Sequence, residues 1–171
     1  MSRAFVRESD DRPELPMRRQ PSVLPPGAKN YLTADGAERL RDELRGMVEV
    51  QRPPLAAESD DPEMKRRLLM LDQRIQQLEE SIRSAEIVQP PAETDTVRFG
   101  ATVVVRRAAG EEDEYRIVGV DEVDPDRGWV SWLSPIAKAL LNAQLGDGVR
   151  FRFPSGEEQL EIVRISYAMG T

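Results

Sequence analysis

Cysteine and histidine are both absent from the 171 residues of this sequence. Their absence excludes a zinc finger, a thiol or Ser-His nucleophile and a disulfide framework. A basic excess is missing as well, because 31 acidic residues outnumber 24 basic ones and give a net charge of -7. This acidic balance argues against a dedicated duplex-binding module, which needs a basic face. Carboxylates remain as the main candidates for metal or acid–base chemistry.

Long apolar runs are also lacking, since no stretch approaches the ~18 consecutive apolar residues of a membrane span. The first eight residues contain no apolar signal-peptide core. We therefore expect a soluble, cytoplasmic protein with no membrane partner. The chain length allows one or two small domains.

Proline and mixed charge dominate residues 1–31, which hold Pro13, Pro16, Pro21, Pro25 and Pro26. Such a segment cannot bury enough apolar area to offset its chain entropy. We predict that residues 1–31 form a disordered tail, with a partner-binding tail as the alternative.

Two amphipathic segments follow within residues 32–89. Thr33 is a candidate N-cap of the first, and Asp61-Pro62 pairs a cap with a first-turn proline for the second. Pro53 and Pro54 disfavour helix continuation between the segments, which places the tip at residues 54–61. The apolar residues of the second segment have the 4-3 spacing of a coiled-coil a/d seam: Met64, Leu68, Leu71, Ile75, Leu78 and Ile82.

These patterns predict an antiparallel coiled-coil hairpin over residues 32–89. Because pairing of its two arms uses the seam within one chain, we expect a monomer. The competing hypothesis is a coiled-coil scaffold or homodimer.

Residues 90–171 have the pattern of a compact α+β domain. Ser134 is the predicted cap of one helix, Pro135 its first residue, and Ile136, Leu140 and Leu141 its buried face. A helix that crosses a twisted antiparallel sheet is the expected packing. The candidate strands are 97–107, 114–120, 129–133, 149–153 and 159–167.

Trp129 and Trp132 stand three positions apart in one of these candidate strands. On a regular strand they point to opposite faces of the sheet. We expect one to face the core and the other to face solvent or a partner.

Three stretches of the sequence carry a family pattern. The first is Tyr31–Leu44 with Gln51-Arg52-Pro53, and the second is Arg74-Ile75 with residues 84–88. The third and most specific comprises residues 99–101, 115–119, 121–124, 131–141, 146–147 and 160–162. In this order they resemble the bacterial Gre transcription factors, most closely the GreB-like branch, over about 31–168.

The resemblance implies a coiled-coil hairpin followed by a domain of FKBP-like fold. It implies that this domain docks on RNA polymerase beside the secondary channel, through Ser134, Pro135 and Ile136. The hairpin would enter the channel, where acidic tip residues help to hold Mg²⁺ at the polymerase active site and touch nascent RNA only indirectly. The protein would then be an accessory factor with no cofactor of its own, which stimulates cleavage of backtracked transcripts by the polymerase.

The tip departs from the family pattern. The Asp-x-x-Glu-Asn-Ala-Glu-Tyr type of motif is absent between Pro53 and Arg74, and the hairpin is shorter by about a dozen residues, or about 10 Å of reach. The remaining tip acids are Glu58, Asp60, Asp61 and Glu63, of which Asp60 and Asp61 are the candidates for a shared Mg²⁺. Alternatively, Asp61 only caps the second helix and Glu63 only faces its dipole.

Two mechanisms therefore stay open for this hairpin. It either stimulates cleavage or occupies the channel as a regulator or inhibitor without cleavage. Lys65-Arg66-Arg67, just beyond the tip, would meet RNA or acidic channel walls, or form a solvated face.

A prolyl isomerase is the enzyme alternative suggested by an FKBP-like fold. Fold does not imply function, and such a site needs an aromatic-lined pocket. The whole chain has only two tryptophans, three tyrosines and four phenylalanines.

Overall fold

The computed structural model describes residues 24–58 and 60–168, and the predicted tail up to residue 23 lies outside this part. The described chain is mixed α+β, as predicted. Its first half comprises β1 (Asn30–Thr33), α1 (Ala34–Gly46), a π-helical segment (Met47–Gln51), α2 (Arg52–Ala57), α3 (Pro62–Ser84) and β2 (Ala85–Val88). The second half comprises β3 (Ala101–Arg107), β4 (Glu112–Val118), two 3-10 turns (Val120–Glu122 and Pro125–Arg127), β5 (Trp129–Ser131), α4 (Pro135–Leu140), β6 (Gly148–Phe153) and β7 (Gly156–Tyr167).

The helices form two arms that run in opposite directions. Arg74 on α3 pairs with Glu43 on α1 at 3.1 Å, whereas Arg52, further along the outgoing arm, pairs with the earlier Asp72 at 2.8 Å. The apolar seam of α3 faces inward, with Ile75 and Leu78 buried and the other four seam residues partly buried. Coiled-coil packing of the arms stays a prediction.

The prediction that Pro53 and Pro54 end the first arm is wrong. Both prolines lie in the first turn of α2, where a missing N–H is tolerated. The π-helical segment precedes them, and its last bond runs from the Arg52 N–H to the Met47 carbonyl. The outgoing arm therefore continues to Ala57, and the return arm begins at Pro62.

A two-stranded parallel sheet, which the sequence did not predict, closes the base of the arms. Strand β1 pairs with β2 from Asn30↔Ala85 to Thr33↔Val88. The predicted tail boundary at residue 31 is therefore wrong, because Asn30 and Tyr31 belong to β1. The return arm likewise leaves the helix at Ser84, so residues 85–88 are strand.

The second half contains a five-stranded sheet of order β5-β4-β3-β7-β6. Its β3–β4, β3–β7 and β6–β7 pairs are antiparallel, as predicted. The edge pair β4–β5 is parallel, with Arg116↔Trp129 in register, so the fully antiparallel prediction is wrong at this edge. The chain between these strands crosses back through two 3-10 turns, which restores its original direction before β5.

Helix α4 covers one face of this sheet and builds the main core. Ser134 accepts a hydrogen bond from the Ala137 N–H at 3.3 Å and thereby caps the helix, as predicted. The opposite face carries charge pairs such as Arg106–Glu112 (3.0 Å) and Arg164–Glu114 (3.2 Å). A second core at the base of the arms contains Leu32, Ala37, Leu40 and Leu78.

Within residues 24–58 and 60–168, no helix combines the length and the apolar character needed to cross a membrane.

Candidate functional site

The four predicted tip acids lie between the end of α2 and the first turn of α3. Asp61 caps α3, because its carboxylate accepts a hydrogen bond from the Glu63 N–H at 2.7 Å. Glu63 pairs with Arg67, one turn further along the helix, at 2.6 Å. Glu58 and Asp60 lie between α2 and α3 and are exposed. Two of the four acids are thus used in local contacts that stabilise the start of α3.

These tip residues do not form a metal site by themselves. Among the described residues, no group of three or more Asp, Glu, His or Cys side chains is placed to hold an ion. Mg²⁺ requires octahedral oxygen coordination and usually takes one or two carboxylates beside water and substrate oxygens. A Mg²⁺ ion at Asp60 and Asp61 would need further oxygen ligands beyond these two carboxylates.

Basic and apolar side chains share the surface beyond the tip. Lys65 and Arg66 are exposed on α3, while Arg67 is paired with Glu63. Leu69 is 60% exposed on the same helix. This part of the hairpin is therefore both basic and apolar.

The predicted docking segment has one buried and two accessible residues. Ile136 is only 8% exposed and packs in the main core against the sheet. Pro135 is exposed at the first position of α4, and Ser134 is partly buried beside it. Only Ser134 and Pro135 therefore present surface to a partner, whereas Ile136 supports the segment from below.

The two tryptophans do not follow the simple alternation expected on one strand. Strand β5 ends at Ser131, so Trp132 lies outside it and packs against the main core and edge-on to Tyr31 at 5.1 Å. Trp129 lies in β5, where it is covered by guanidinium groups instead of facing open solvent. The groups belong to Arg39, Arg116 and Arg127 and lie 4.5, 4.9 and 5.1 Å from the ring centroid.

Glu122 is a candidate site residue that sequence reasoning missed. Its side chain is 1% exposed and lies between the C-terminal sheet and the base of α1. Its carboxylate accepts hydrogen bonds from the Gly119 N–H at 2.9 Å, the Thr33 N–H at 3.0 Å and the Thr33 hydroxyl. Arg39 adds a longer contact at 3.5 Å. We call this group, together with the Asp35–Arg116 and Ser81–Asp121 pairs described next, the joint.

Arg116 makes the second contact of the joint. Its guanidinium, on β4, donates two hydrogen bonds to Asp35 on α1, at 2.8 and 2.9 Å. These bonds to Arg116 hold the pKa of the Asp35 carboxyl below its ordinary value. A third contact lies on the return arm, where the Ser81 hydroxyl donates to Asp121. Both arms of the hairpin are therefore fastened to the C-terminal half.

A cavity of about 80 Å³ lies beside the joint, lined in part by Asp35, Phe99 and Arg116. Small-molecule sites are typically roughly 300 Å³ or more. The cavity is therefore too small for the peptide substrate of a prolyl isomerase.

Comparison with known proteins identifies relatives along most of the chain. The chain is 38% identical over 154 residues to transcription elongation factor GreB of Neisseria meningitidis serogroup A, with 81% of this chain and 94% of that protein covered. It is 38% identical over 157 residues to transcription elongation factor GreA of Alkalilimnicola ehrlichii, with 82% and 99% covered. A solved structure of a GreA/GreB factor from Nitrosomonas europaea covers 81% of this chain and 100% of its own at 25% identity. The TM-score between the two structures is 0.41.

The alignment also bears on the length of this chain. It spans 154 residues with the Neisseria protein, whereas 81% of 171 residues is about 139. The alignment therefore contains about 15 positions of the relative that have no counterpart in this chain.

The C-terminal half matches a family profile of its own. Residues 92–167, which include the whole five-stranded sheet and α4, match the family described as Transcription elongation factor, GreA/GreB, C-term. Together with the relatives that extend across the helical arms, this match shows that the chain belongs to the GreA/GreB family of transcription elongation factors.

Proposed function

We propose that this protein binds bacterial RNA polymerase at the rim of the secondary channel and modulates transcript elongation. The observation that carries the proposal is the similarity to named elongation factors over 94% and 99% of their length. The protein acts in the cytoplasm as an accessory factor on the polymerase active site and not as an enzyme. Its contact with nascent RNA is indirect.

The C-terminal half is the docking domain in this proposal, with an FKBP-like fold. A short helix on a five-stranded sheet supports this assignment. Ser134 and Pro135 are the contact residues, because they are the accessible part of a segment that Ile136 anchors in the core.

The two arms form the coiled-coil hairpin that enters the channel. The inward-facing seam of α3 and the ion pairs between the arms support this packing. Since the seam is covered within the chain, the protein acts as a monomer.

The hairpin acts by occupying the channel, as a regulator that does not stimulate transcript cleavage. Asp61 and Glu63 are engaged in contacts within α3, and the chain lacks about 15 residues that a full-length relative has. Ligands must be placed within about 0.5 Å for catalysis, so a shortfall of about 10 Å favours occupation of the channel over cleavage stimulation.

Cleavage stimulation is the second candidate, favoured by the exposed Glu58 and Asp60 at the tip. In that case Asp60 and Asp61 would hold a Mg²⁺ shared with the polymerase. Bound Mg²⁺ would activate water and stabilise the charge that develops on the transferred phosphoryl group.

Backtracked elongation complexes test both candidates. We expect the full-length protein to slow or redirect elongation while 3′ cleavage stays at its factor-free level at saturating concentration. Cleavage that rises with protein concentration and falls in an Asp60→Asn/Asp61→Asn variant would establish the second candidate instead.

A docking variant tests the proposal as a whole. Pro135→Ala is expected to raise the concentration needed for the half-maximal effect, because it removes an exposed contact. Pro154→Ala, at an exposed proline in the turn between β6 and β7, is the matched control and should leave that concentration unchanged. Absence of any binding between wild-type protein and polymerase would refute the proposal.

A further inference from the structure

The joint brings one buried carboxylate to the first turn of the outgoing arm. Glu122 comes from the C-terminal half, whereas Thr33 and Arg39 belong to the base of α1, 89 and 83 residues away in sequence. Thr33 is also the N-cap of α1, so the carboxylate lies at the positive end of that helix. The start of α1 and the C-terminal half therefore share one charged centre.

A buried carboxylate requires its partners to stay in place. If its partners move away, the buried charge is left uncompensated, which is strongly destabilising. A displacement of the start of α1 relative to the C-terminal half would lengthen the bonds from the Thr33 N–H and hydroxyl to Glu122. The bonds of Glu122 are therefore sensitive to the direction of the arm as well as to its position.

Two further contacts complete the joint at separate points. The Arg116–Asp35 pair lies on the first turn of α1, and the Ser81–Asp121 pair lies near the end of α3. Contacts on both arms, together with Glu122, restrain tilt in more than one direction. A single contact would allow the hairpin to pivot.

The chain leaves room for this arrangement at two glycines. A methyl group on Gly36 would overlap the Glu122 carboxylate, and one on Gly119 would overlap the Tyr31 carbonyl oxygen. Neither glycine has a positive φ, so close approach is the reason for glycine at both positions. The contacts of the joint can form only because Gly36 and Gly119 have no side chains.

Small angles at the base become large displacements at the tip. Ser81 and Pro62 are 19 residues apart on α3, so about 30 Å of helix separates the joint from the turn. A tilt of about 10° over that length moves the tip by about 5 Å. Side chains that act within a channel must be placed far more closely than this.

We infer that Glu122 is a positioning residue that fixes the direction in which the hairpin leaves the C-terminal half. The inference rests on the proposed function for its consequence, which is that a docked protein delivers its tip to one place. The geometry itself concerns the free protein and is tested without polymerase.

The absence of cysteine makes the direct measurement simple. Spin labels are attached to the full chain through Ala57→Cys, exposed at the end of α2, and Ser155→Cys, exposed in the turn between β6 and β7. Pulsed electron spin resonance then gives the distribution of distances between tip and domain. The measurement is repeated on the same doubly labelled protein with Glu122→Gln. This substitution keeps the size of the side chain but places an amide NH2 group among the hydrogen-bond donors that face the carboxylate.

We expect a narrow distribution for the parent and a distribution broadened or shifted by several ångströms for Glu122→Gln. Glu161→Gln is the matched control, since Glu161 lies on the exposed face of β7 and is 53% exposed. An unchanged distribution in a folded Glu122→Gln variant would overturn the inference. If that variant does not fold, Thr33→Val replaces it, because it removes the hydroxyl that donates to Glu122, and an unchanged distribution there would overturn the inference equally.

Polymerase titration separates positioning from docking. For Glu122→Gln we expect the half-maximal concentration to stay near that of the parent, while the maximal effect on elongation falls severalfold. A loss of affinity with an unchanged maximum would assign Glu122 to docking and refute the positioning role. If Glu122→Gln broadens the distance distribution but the parent protein does not bind polymerase, the positioning role of Glu122 is supported and the proposed function is refuted.

Discussion

Replacement of Gly36 by alanine is expected to destabilise the protein, although replacing a glycine within a helix by alanine normally stabilises it. Gly36 is the third residue of α1, and its position would suit alanine on helix propensity alone, by at most ~1 kcal/mol. The added methyl group would overlap the Glu122 carboxylate and approach the Thr33 hydroxyl oxygen to 2.8 Å. Glu122 is anchored by backbone donors and cannot swing away as an exposed side chain would.

The magnitude follows from the hydrogen bonds that the carboxylate would lose. A hydrogen bond to a charged group contributes about 1.5–3 kcal/mol. Displacement that breaks two of them costs about 3–6 kcal/mol, and the propensity gain offsets at most ~1 kcal/mol. We therefore expect the free energy of unfolding to fall by about 2–5 kcal/mol.

Urea unfolding of the full chain measures this change, with Gly46→Ala as the matched control. Gly46 is also helical, and nothing lies within 4 Å of the position that its methyl group would take. The control should be unchanged or stabilised by up to ~1 kcal/mol. A Gly36→Ala variant as stable as this control would refute the reasoning. In a Glu122→Ala background the cost of Gly36→Ala should largely disappear, because the overlap is gone.

Three further predictions concern the two cores and the acid response. Ile136→Ala should lower the free energy of unfolding by about 2–4 kcal/mol in urea titration, because Ile136 fills the main core. Leu78→Ala should cost about 2–5 kcal/mol, whereas Leu69→Ala, at an exposed position of the same helix, should stay within about 0.5 kcal/mol. Arg116 lowers the pKa of Asp35, so the stability that Asp35 contributes is complete above its ordinary pKa of 3.8 and is lost as the pH falls below it. The stability difference between wild type and Asp35→Asn should therefore shrink through that acid range, and a constant difference would contradict the assignment.

Short-range signals predicted the local structure well. The cap and first-turn proline at Ser134-Pro135 and at Asp61-Pro62 mark the starts of α4 and α3. Their physics involves only neighbouring residues, so the sequence alone contains it. The expectation that the helix ends at Pro53 was wrong because a π-helical segment precedes this proline and the helix continues beyond it, and no local pattern marked that segment.

Long-range pairings could not be predicted in this way. The parallel β1–β2 sheet joins Asn30 to Ala85, and nothing in either short segment specifies the other. Glu122 lies in the acidic stretch 121–124, whose composition is typical of an exposed turn. It becomes buried only when β1 and α1 pack over it. The paired glycines, Gly36 and Gly119, were the available signal, since close approach is one of the few reasons to place glycine in a first helical turn.

The opposite directions of the two arms limit how the hairpin can change in length. An insertion between Glu43 and Arg52 alone would shift Arg52 out of register with Asp72, while the pair formed by Glu43 and Arg74 stayed in place. Seven residues added to each arm make about two turns, which keeps the inward faces aligned and lengthens the hairpin by about 10 Å. The resulting total, about 14 residues, is close to the surplus of about 15 in the Neisseria relative. The hairpin can therefore change length only in steps of about two helical turns. Variants with such an insertion in both arms would measure the depth in the channel at which the tip begins to act.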